Sequence, residues 1–147
     1  MNYMAKGKAA ILKFKYNYIE DSILIFSSDE CSVFLIHELN SNQPTFVELK
    51  FQRVKCVRSA RTDCTPAMGI YPEESGVSFI VELTESSWAV EAHKAYVYSS
   101  SLSSPRGRHF VVSNNDIFHE ILAESFIEDL VGPKHPKYDF VKALFNI

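Results

Sequence analysis

The sequence contains few of the residues that interrupt or cross-link a chain. Its 147 residues include 5 glycines, 6 prolines and 3 cysteines, which excludes a collagen-like repeat and a linker-like composition. The cysteines, Cys31, Cys56 and Cys64, are odd in number and have no C-x-x-C spacing. This pattern favours a reducing compartment over a disulfide framework, and we expect a cytoplasmic protein.

Long hydrophobic runs are also missing. No run approaches the roughly 20 apolar residues of a membrane helix, and the first 20 residues lack the apolar core of a signal peptide. We therefore expect no membrane association. A hydrophobic content of 46% with 22% charged residues is typical of a globular protein, and the length predicts a single domain over residues 1–147.

The charge balance does not favour nucleic acid. The net charge is −3, so the molecule has no overall positive field that would attract phosphate, and nucleic-acid binding is not expected. The charge is unevenly distributed, because residues 1–70 carry 9 basic and 7 acidic side chains while residues 71–147 carry 6 and 11. Such a dipolar chain suits electrostatic docking to a protein partner.

The segment 78–95 combines two periodicities. Phe79, Val81 and Leu83 fall on alternate positions among polar residues, with Ile80 as the one exception, which predicts a strand with one buried face. Ser86 and Ser87 then stand where a helix N-cap is expected, ahead of apolar residues at helical spacing that begin with Trp88. We interpret Trp88, the only tryptophan, as a core residue, with a ligand pocket or an interface as the alternative.

Further strands are predicted before this segment. Alternating residues indicate a strand over 8–19, and apolar runs at 23–26 and 31–39 indicate interior strands covered on both faces. In 46–57 the buried phase changes from odd to even positions near Gln52 and Arg53. Because a strand cannot keep one face inward across such a change, we predict a β-bulge or sharp bend there.

The segment 109–130 has two interpretations. As a hairpin, 109–113 pairs with 117–123 across the turn formers Asn114 to Asp116; as a helix, Asp116 caps an apolar face further along. A short helix is predicted over 137–145. Together these patterns predict an α+β fold, a largely antiparallel sheet of about six or seven strands with two short helices.

The residues that could carry chemistry show no diagnostic spacing. They are His93, His109, His119, Cys56, Cys64 and Asp63. Nothing in the sequence shows that a thiol meets an imidazole, and the paired ligand spacing of a zinc site is missing. His119-Glu120 with Glu124 lacks the second histidine of a helical metal motif. We therefore expect no catalytic, cofactor-binding or metal-binding residue, and an enzyme is the less favoured interpretation.

Two charged stretches and a long loop are candidates for contact with a partner. The basic run contains Lys50, Arg53, Lys55, Arg58 and Arg61, and is either a positive patch or a solvated sheet face paired with Glu48, Glu82 or Glu85. The loop 59–77 and the acidic segment 116–129 are expected to bind the partner. The residues proposed for this contact are Asp116, Glu120, Glu124, Glu128, Asp63, Tyr71, Glu73 and Glu74.

Several segments resemble a known group of proteins. The strand FVELKF, the strand SFIVELTESS leading into WAVEAHKA, and RHFVVSNND followed by FHEILAESF look like the small bacterial immunity proteins of polymorphic-toxin and contact-dependent-inhibition systems. The resemblance covers residues 46–130. It implies a cytosolic, non-enzymatic protein that binds and occludes a cognate toxin. The partner that we expect is a basic toxin domain.

Two other hypotheses remain. One is a small ligand-binding domain or hydrolase with a pocket between sheet and helix near Trp88, His93 and His109, whose sharpest form would use Cys64 or His93. The other is a homodimer that pairs the strand carrying Lys13 and Lys15 across a two-fold axis.

Overall fold

The computed structural model describes residues 6–39, 42–62, 69–89 and 107–147. Within these ranges nine strands form two antiparallel sheets, and residues 87–89 are helical. The elements are β1 (Gly7–Ile11), β2 (Ser22–Phe26), β3 (Cys31–Glu38), β4 (Thr45–Gln52), β5 (Cys56–Arg61), β6 (Phe79–Leu83), β7 (Arg108–Ser113), β8 (Ile117–Ala123), β9 (Ser125–Val131) and the helix α1 (Tyr138–Leu144). The predicted α+β class with antiparallel pairing is confirmed.

Two long strands bend from one sheet into the other. The five-stranded sheet has the order β1-β6-β7-β8-β5 and the four-stranded sheet the order β2-β3-β4-β9. β4 continues into β5, and β8 into β9, across a shared corner where the Glu124 amide donates to the Gln52 carbonyl at 3.0 Å. Arg53 turns this corner with a φ of 53°. The bend predicted near Gln52 and Arg53 is confirmed. Each bent strand is counted as two, which accounts for most of the difference between the six or seven predicted strands and the nine observed.

The main core lies between the two sheets. It contains buried apolar side chains from both, because each strand presents every second residue to the space between the layers. At its centre Phe51, Phe110 and Phe126 are in mutual ring contact, with centroids 5.4 to 5.7 Å apart. The other fully buried members include Val33, Leu35, Val47, Leu49, Val112 and Ile121.

A second cluster covers the outer face of the four-stranded sheet. Tyr138 and Val141 of α1 pack against Phe34, Ile36 and Phe46 of β3 and β4, and the Tyr138 hydroxyl donates to the Pro44 carbonyl at 2.7 Å. β3 is therefore apolar on both faces because a helix covers its second face. The predicted interior strand over 31–39 and the predicted C-terminal helix are confirmed.

Two strand predictions need correction. β2 is an edge strand with β3 as its neighbour, not an interior strand. The strand predicted over 8–19 ends at Ile11. Beyond it the chain passes between the sheets, since the Tyr16 amide donates to Ser78 Oγ at 3.0 Å and the Asn17 amide to the Ile36 carbonyl at 2.7 Å. The alternating apolar residues after Ile11 pack against the core, but their backbone does not form a continuous ladder of strand hydrogen bonds.

The segment 109–123 is a hairpin. β7 and β8 pair antiparallel up to Ser113 opposite Phe118. Asn114 Oδ1 accepts a hydrogen bond from the Ile117 amide at 3.0 Å, which closes the turn. The hairpin interpretation is confirmed and the helical one is wrong. No helix in the described part of the chain is long and apolar enough to cross a membrane.

Candidate functional site

The outer face of the five-stranded sheet carries a polar cluster beside an apolar patch. The patch consists of Val81, Val111 and Phe118, and α1 lies on the other sheet. Arg58 of β5 stands directly opposite Glu120 of β8, and strand register places His109 of β7 diagonal to Glu120. Side chains at these positions on one face are within reach of each other. Three polar residues far apart in sequence are thus brought together by register.

Glu120 is at the centre of this cluster. Its carboxylate accepts hydrogen bonds from Arg58 Nε at 2.5 Å and Arg58 Nη2 at 3.1 Å, and it contacts His109 Nε2 at 2.7 Å. The side chains of Glu120 and His109 are only 11% and 4% exposed. Burial by itself raises the pKa of Glu120, but the bonds from His109 and Arg58 outweigh it and hold the pKa at about 2. The carboxylate is therefore ionised.

His109 connects Glu120 to a serine hydroxyl. Its Nδ1 lies 2.6 Å from Ser86 Oγ. Because the ionised carboxylate only accepts, Nε2 carries the proton, and in the neutral ring Nδ1 accepts from the Ser86 hydroxyl; this tautomer is assigned from the bonding pattern. Ser86, His109 and Glu120 thus form a series of hydroxyl, imidazole and carboxylate. Such a series can activate a serine oxygen as a nucleophile.

The loop before the helical residues 87–89 positions Ser86. Its Oγ accepts a hydrogen bond from the Ala89 amide at 3.1 Å, so the predicted N-cap is confirmed. Glu85, immediately before it, has a φ of 57°, a left-handed conformation that costs free energy in a residue other than glycine. Backbone strain next to a hydroxyl–imidazole contact is a feature found at functional sites.

Trp88 lies over this cluster. Its ring meets the His109 ring edge-on at 5.0 Å between centroids, and the Arg58 guanidinium carbon lies 4.0 Å from the Trp88 centroid. Trp88 is half-buried, so its interpretation as a core residue is wrong: it covers the outer face of a sheet. The region predicted for a pocket near Trp88 and His109 does hold a polar cluster, whereas His93 lies outside the described residues.

A groove runs along the β1 edge of the five-stranded sheet. It has a volume of about 670 Å³ and lies between β1 and residues 69–74. Tyr71 is 77% exposed and Ile11 is 52% exposed, and the side chains of Glu73 and Glu74 are exposed beside them. The groove thus combines apolar surface with carboxylates. Residues lining it include Gly7, Lys8, Ala9, Ile11, Tyr71, Glu73 and Glu74.

The residues predicted to contact a partner fall into separate places. Tyr71, Glu73 and Glu74 lie together at this groove. Asp116 is exposed in the turn between β7 and β8, and Asp63 lies outside the described residues.

The other predicted acidic residues are engaged within the fold. Glu120 is buried as described, Glu124 forms an ion pair with Arg53 at 3.5 Å, and Glu128 accepts a hydrogen bond from the Lys13 amide at 2.7 Å. Glu120 belongs to the five-stranded sheet and Glu128 to the four-stranded sheet. The structure therefore does not bring the acidic residues of 116–129 onto one surface.

Two residues of the basic run form ion pairs, as the solvated-face interpretation predicts. Their partners differ from the three acids that were expected. Arg58 binds Glu120 and Arg53 binds Glu124. Of the three expected acids, Glu48 instead accepts hydrogen bonds from Ser32 and Lys137, both at 2.7 Å. Glu82 is paired with Arg108, whose hydrogen bond lowers the pKa of that carboxyl. Glu85 is paired with Lys6 at 3.6 Å.

A second serine–histidine contact lies between the sheets. His119 Nδ1 is 2.6 Å from Ser59 Oγ and its Nε2 is 3.0 Å from Ser22 Oγ. Burial lowers the pKa of this imidazole, which keeps it neutral. His119 thus joins two hydroxyls across the sandwich without the carboxylate that His109 has.

Among the described residues, Cys31 and the candidate metal ligands add no further site, and Cys64 lies outside the described residues. Burial, helped by Glu30, raises the pKa of Cys31 to about 11, so its thiol is protonated and inert. Across residues 6–39, 42–62, 69–89 and 107–147, no three histidine, cysteine or acidic side chains are grouped so that they could hold a metal ion.

The sequence alone does not predict the serine–histidine–glutamate series. It offers His109 as a candidate and Ser86 as a cap, but their link to Glu120 depends on the pairing of β7 with β8. The available signal was the presence of polar residues at outward positions of two adjacent predicted strands.

No family model, curated protein or solved structure matches this chain.

Proposed function

We propose that this protein is a binding module that docks a protein partner and blocks it by occlusion. In the form suggested by the resemblance to immunity proteins, the partner is a basic toxin domain and binding takes place in the cytoplasm. The observation that carries the proposal is the groove beside β1. It joins a strand edge that no described strand pairs with, two exposed apolar side chains and two exposed carboxylates in one place.

The apolar side chains supply the binding energy. Tyr71 and Ile11 are both more than half exposed, and such residues gain roughly 25 cal/mol for each Å² of apolar surface that a partner covers. Tyrosine is also enriched among the residues that dominate interfaces, because its ring is large and loses few rotamers on binding.

The carboxylates supply steering. Glu73 and Glu74 are adjacent and exposed, and they lie in the half of the chain that carries the larger negative charge. A local negative field accelerates association with a basic partner and weakens as salt rises. This location replaces Glu120 and Glu124 as the expected docking charges, since those two are paired within the fold.

The test is a comparison of two purified baits in extracts of the native host cell. The wild-type chain is expected to retain a protein that a Tyr71→Ala, Glu73→Lys, Glu74→Lys variant loses. Expression of the retained protein alone should arrest growth, and co-expression of the wild-type chain, but not of the variant, should restore it.

A matched control comes from the opposite side of the molecule. Phe140 is half exposed on α1 and Asp139 precedes it, so a Phe140→Ala, Asp139→Lys variant removes similar surface and charge away from the groove. It should behave as wild type. Retention of the same partner by the groove variant, or a partner without toxicity, would contradict the proposal.

A second candidate function is ester or amide hydrolysis at Ser86. The specific observation in its favour is the contact series from Ser86 through His109 to ionised Glu120. In this reaction Ser86 Oγ attacks an acyl carbon while its proton passes to His109 Nδ1, and the leaving group departs with that proton. Water, deprotonated by the same imidazole, then attacks the acyl carbon, and the bond to Ser86 Oγ breaks as that oxygen takes the proton back from His109.

Covalent labelling separates this candidate from a structural role. A fluorophosphonate probe should label Ser86, and Ser86→Ala and His109→Gln should abolish labelling together with hydrolysis of p-nitrophenyl acetate. Ser59→Ala is the matched control, because Ser59 is exposed and contacts Nδ1 of His119, an imidazole without a carboxylate. An unlabelled Ser86, or labelling that survives His109→Gln, would count against hydrolysis.

A further inference from the structure

The outer edge of β1 presents a regular row of backbone groups. β1 has one strand neighbour, β6. The Leu12 amide donates to the Ser78 carbonyl at 2.9 Å and the Thr84 amide to the Lys6 carbonyl at 2.8 Å. In an antiparallel pair the hydrogen-bonded positions alternate, so even-numbered residues bond to β6. The amide and carbonyl groups of Gly7, Ala9 and Ile11 therefore point away from the sheet.

These three residues and Lys8 are the part of β1 that borders the groove. Gly7, Ala9 and Ile11 line it on one side, and Tyr71, Glu73 and Glu74 line it on the other. No strand in the described part of the chain pairs with the outward groups. Since Gly7 and Ala9 have small side chains, another backbone can approach them at the usual spacing of about 4.8 Å between strands.

We infer, on the basis of the proposed function, that the partner docks by adding an extended basic segment as a sixth strand beside β1. Strand addition to a free sheet edge uses main-chain hydrogen bonds for affinity and alternate side chains for specificity. The geometry here supplies both. The outward groups of Gly7, Ala9 and Ile11 form the ladder, and the side chains of residues 69–74 select the sequence.

The two faces of β1 define which side chains the partner needs. Ala9 pairs with Val81, which belongs to the outer-face cluster, whereas Ala10 pairs with Ile80 of the core between the sheets. Ile70 packs in the same outer-face cluster and leads into Tyr71. The added strand therefore meets Tyr71, Glu73 and Glu74 with every second residue. Lysine or arginine and one apolar residue are required at those alternate positions.

The charge of the groove determines the sign of the charge that the partner must carry. Glu73 and Glu74 are exposed and form no ion pair with a described residue, whereas the Lys8 ammonium is held by Glu82 at 3.7 Å. Lys8 also borders the groove, but Glu82 compensates its charge, so Glu73 and Glu74 determine the sign of the charge there. The face that contacts the added strand is thus negative, which favours a basic segment over an acidic one or a second β1.

The experiment uses peptides selected from a random phage-displayed library on the immobilised full chain. Recovered peptides should be extended, with basic residues at alternate positions. Calorimetry should show that N-methylation of every second peptide amide weakens binding about tenfold or more, while methylation of the intervening amides has little effect, since only the first set removes hydrogen bonds to β1.

Protein variants test the same register. Ala9→Pro removes an outward amide without removing a bond to β6, and proline is tolerated at edge positions of this kind; it should keep the thermal midpoint while weakening peptide binding about tenfold. Glu73→Lys with Glu74→Lys should weaken basic peptides to a similar degree. Two-dimensional NMR should place the largest amide shifts at Gly7, Ala9 and Ile11.

The outcomes separate this inference from the proposed function. Binding that Tyr71→Ala weakens but N-methylation and Ala9→Pro leave intact would overturn strand addition and keep the groove as the docking surface. Binding unaffected by any of these changes, or no selected peptide, would overturn both. Light scattering that shows a wild-type dimer dissociated by Ala9→Pro would assign the edge to a second copy and overturn the heterologous partner.

Discussion

Glu120 is a buried carboxylate with two hydrogen-bonding side-chain partners. Its carboxylate is shared between Arg58, which is half exposed, and His109, which is buried. A buried charge of this kind is stable only while its partners remain, so the cost of disturbing it comes mainly from the charge left unpaired. Because His109 also contacts Ser86, the same carboxylate fixes the orientation of an imidazole in the second candidate function.

The pH dependence of stability should report this carboxylate. The pKa of Glu120 is about 2 in the folded chain against an ordinary 4.5, so the unfolded state binds the proton more readily. Its contribution is present in full above about pH 4.5 and is lost as the pH falls towards 2. Glu120→Gln should remove this part of the slope and lower the free energy of unfolding at pH 7 by about 3 kcal/mol, measured by urea titration.

The control for this prediction is Glu73→Gln. Glu73 is exposed, so its substitution should leave both the slope and the stability unchanged within error. A wild-type slope retained in Glu120→Gln would show that other carboxyl groups account for the acid sensitivity.

Arg53 allows a test of strain at the corner between the sheets. Its φ of 53° is left-handed, which costs a residue with a Cβ about 1 kcal/mol relative to glycine. Its exposed ion pair with Glu124 contributes little. Arg53→Gly should therefore be more stable than Arg53→Ala by about 1 kcal/mol, measured by chemical denaturation. Equal stabilities would exclude backbone strain at this corner.

At the scale of the element, β1 is held against β6 by a close backbone approach at Gly7. A Cβ at this position would lie 2.5 Å from the Glu82 carbonyl oxygen and 2.9 Å from Ile70 Cδ1. The first neighbour is backbone and cannot move alone, so the strand itself would have to shift. Glycine at this position is required by packing between strands, and its φ is not in the left-handed region.

Gly7→Ala should consequently destabilise the protein by about 1–3 kcal/mol and speed hydrogen exchange in β1. Gly132→Ala is the matched control, because no atom lies within 4 Å of its added Cβ and it should have little effect. If the two variants melt at the same temperature, the close approach at Gly7 does not constrain β1.

The edge position of β1 and β2 has consequences for association. Each has a single strand neighbour, and unpaired edges are where sheets recruit other chains. β2 is short and ends in the exposed Phe26, whereas β1 borders the groove. The edge of β1 therefore offers a partner a groove as well as backbone groups.

At the scale of the whole molecule, both sheets share one core. Phe110 of the five-stranded sheet is fully buried and contacts Phe51 and Phe126 of the four-stranded sheet. Because β4–β5 and β8–β9 also cross between the sheets, the two layers are joined by the backbone as well as by this core. Cooperative unfolding of both sheets follows.

Phe110→Ala should lower the free energy of unfolding by about 3–5 kcal/mol and keep a single transition. Trp88 fluorescence reports on the outer face of the five-stranded sheet, and far-ultraviolet circular dichroism reports on both sheets. The two denaturation curves are expected to coincide in wild type and variant. Separate midpoints would show that the layers unfold independently.

The elements with strong local patterns were predictable from the sequence. The alternation over 79–83, the turn formers Asn114 to Asn115 and the phase change at Gln52 each depend on neighbouring residues, and all three features are present. The strand predicted over residues 12–19 is wrong. Alternation shows which side chains face a core, but it does not show whether the backbone pairs with a neighbouring strand.

The amino-acid sequence by itself determined the antiparallel α+β class, the corner at Arg53 and the terminal helix, because periodicity, capping and turn chemistry act over a few residues. Only the tertiary structure decided that Ser86, His109 and Glu120 meet and that the edge of β1 faces Tyr71. Those contacts depend on strand order and register between distant segments, which are set by the packing of the whole chain.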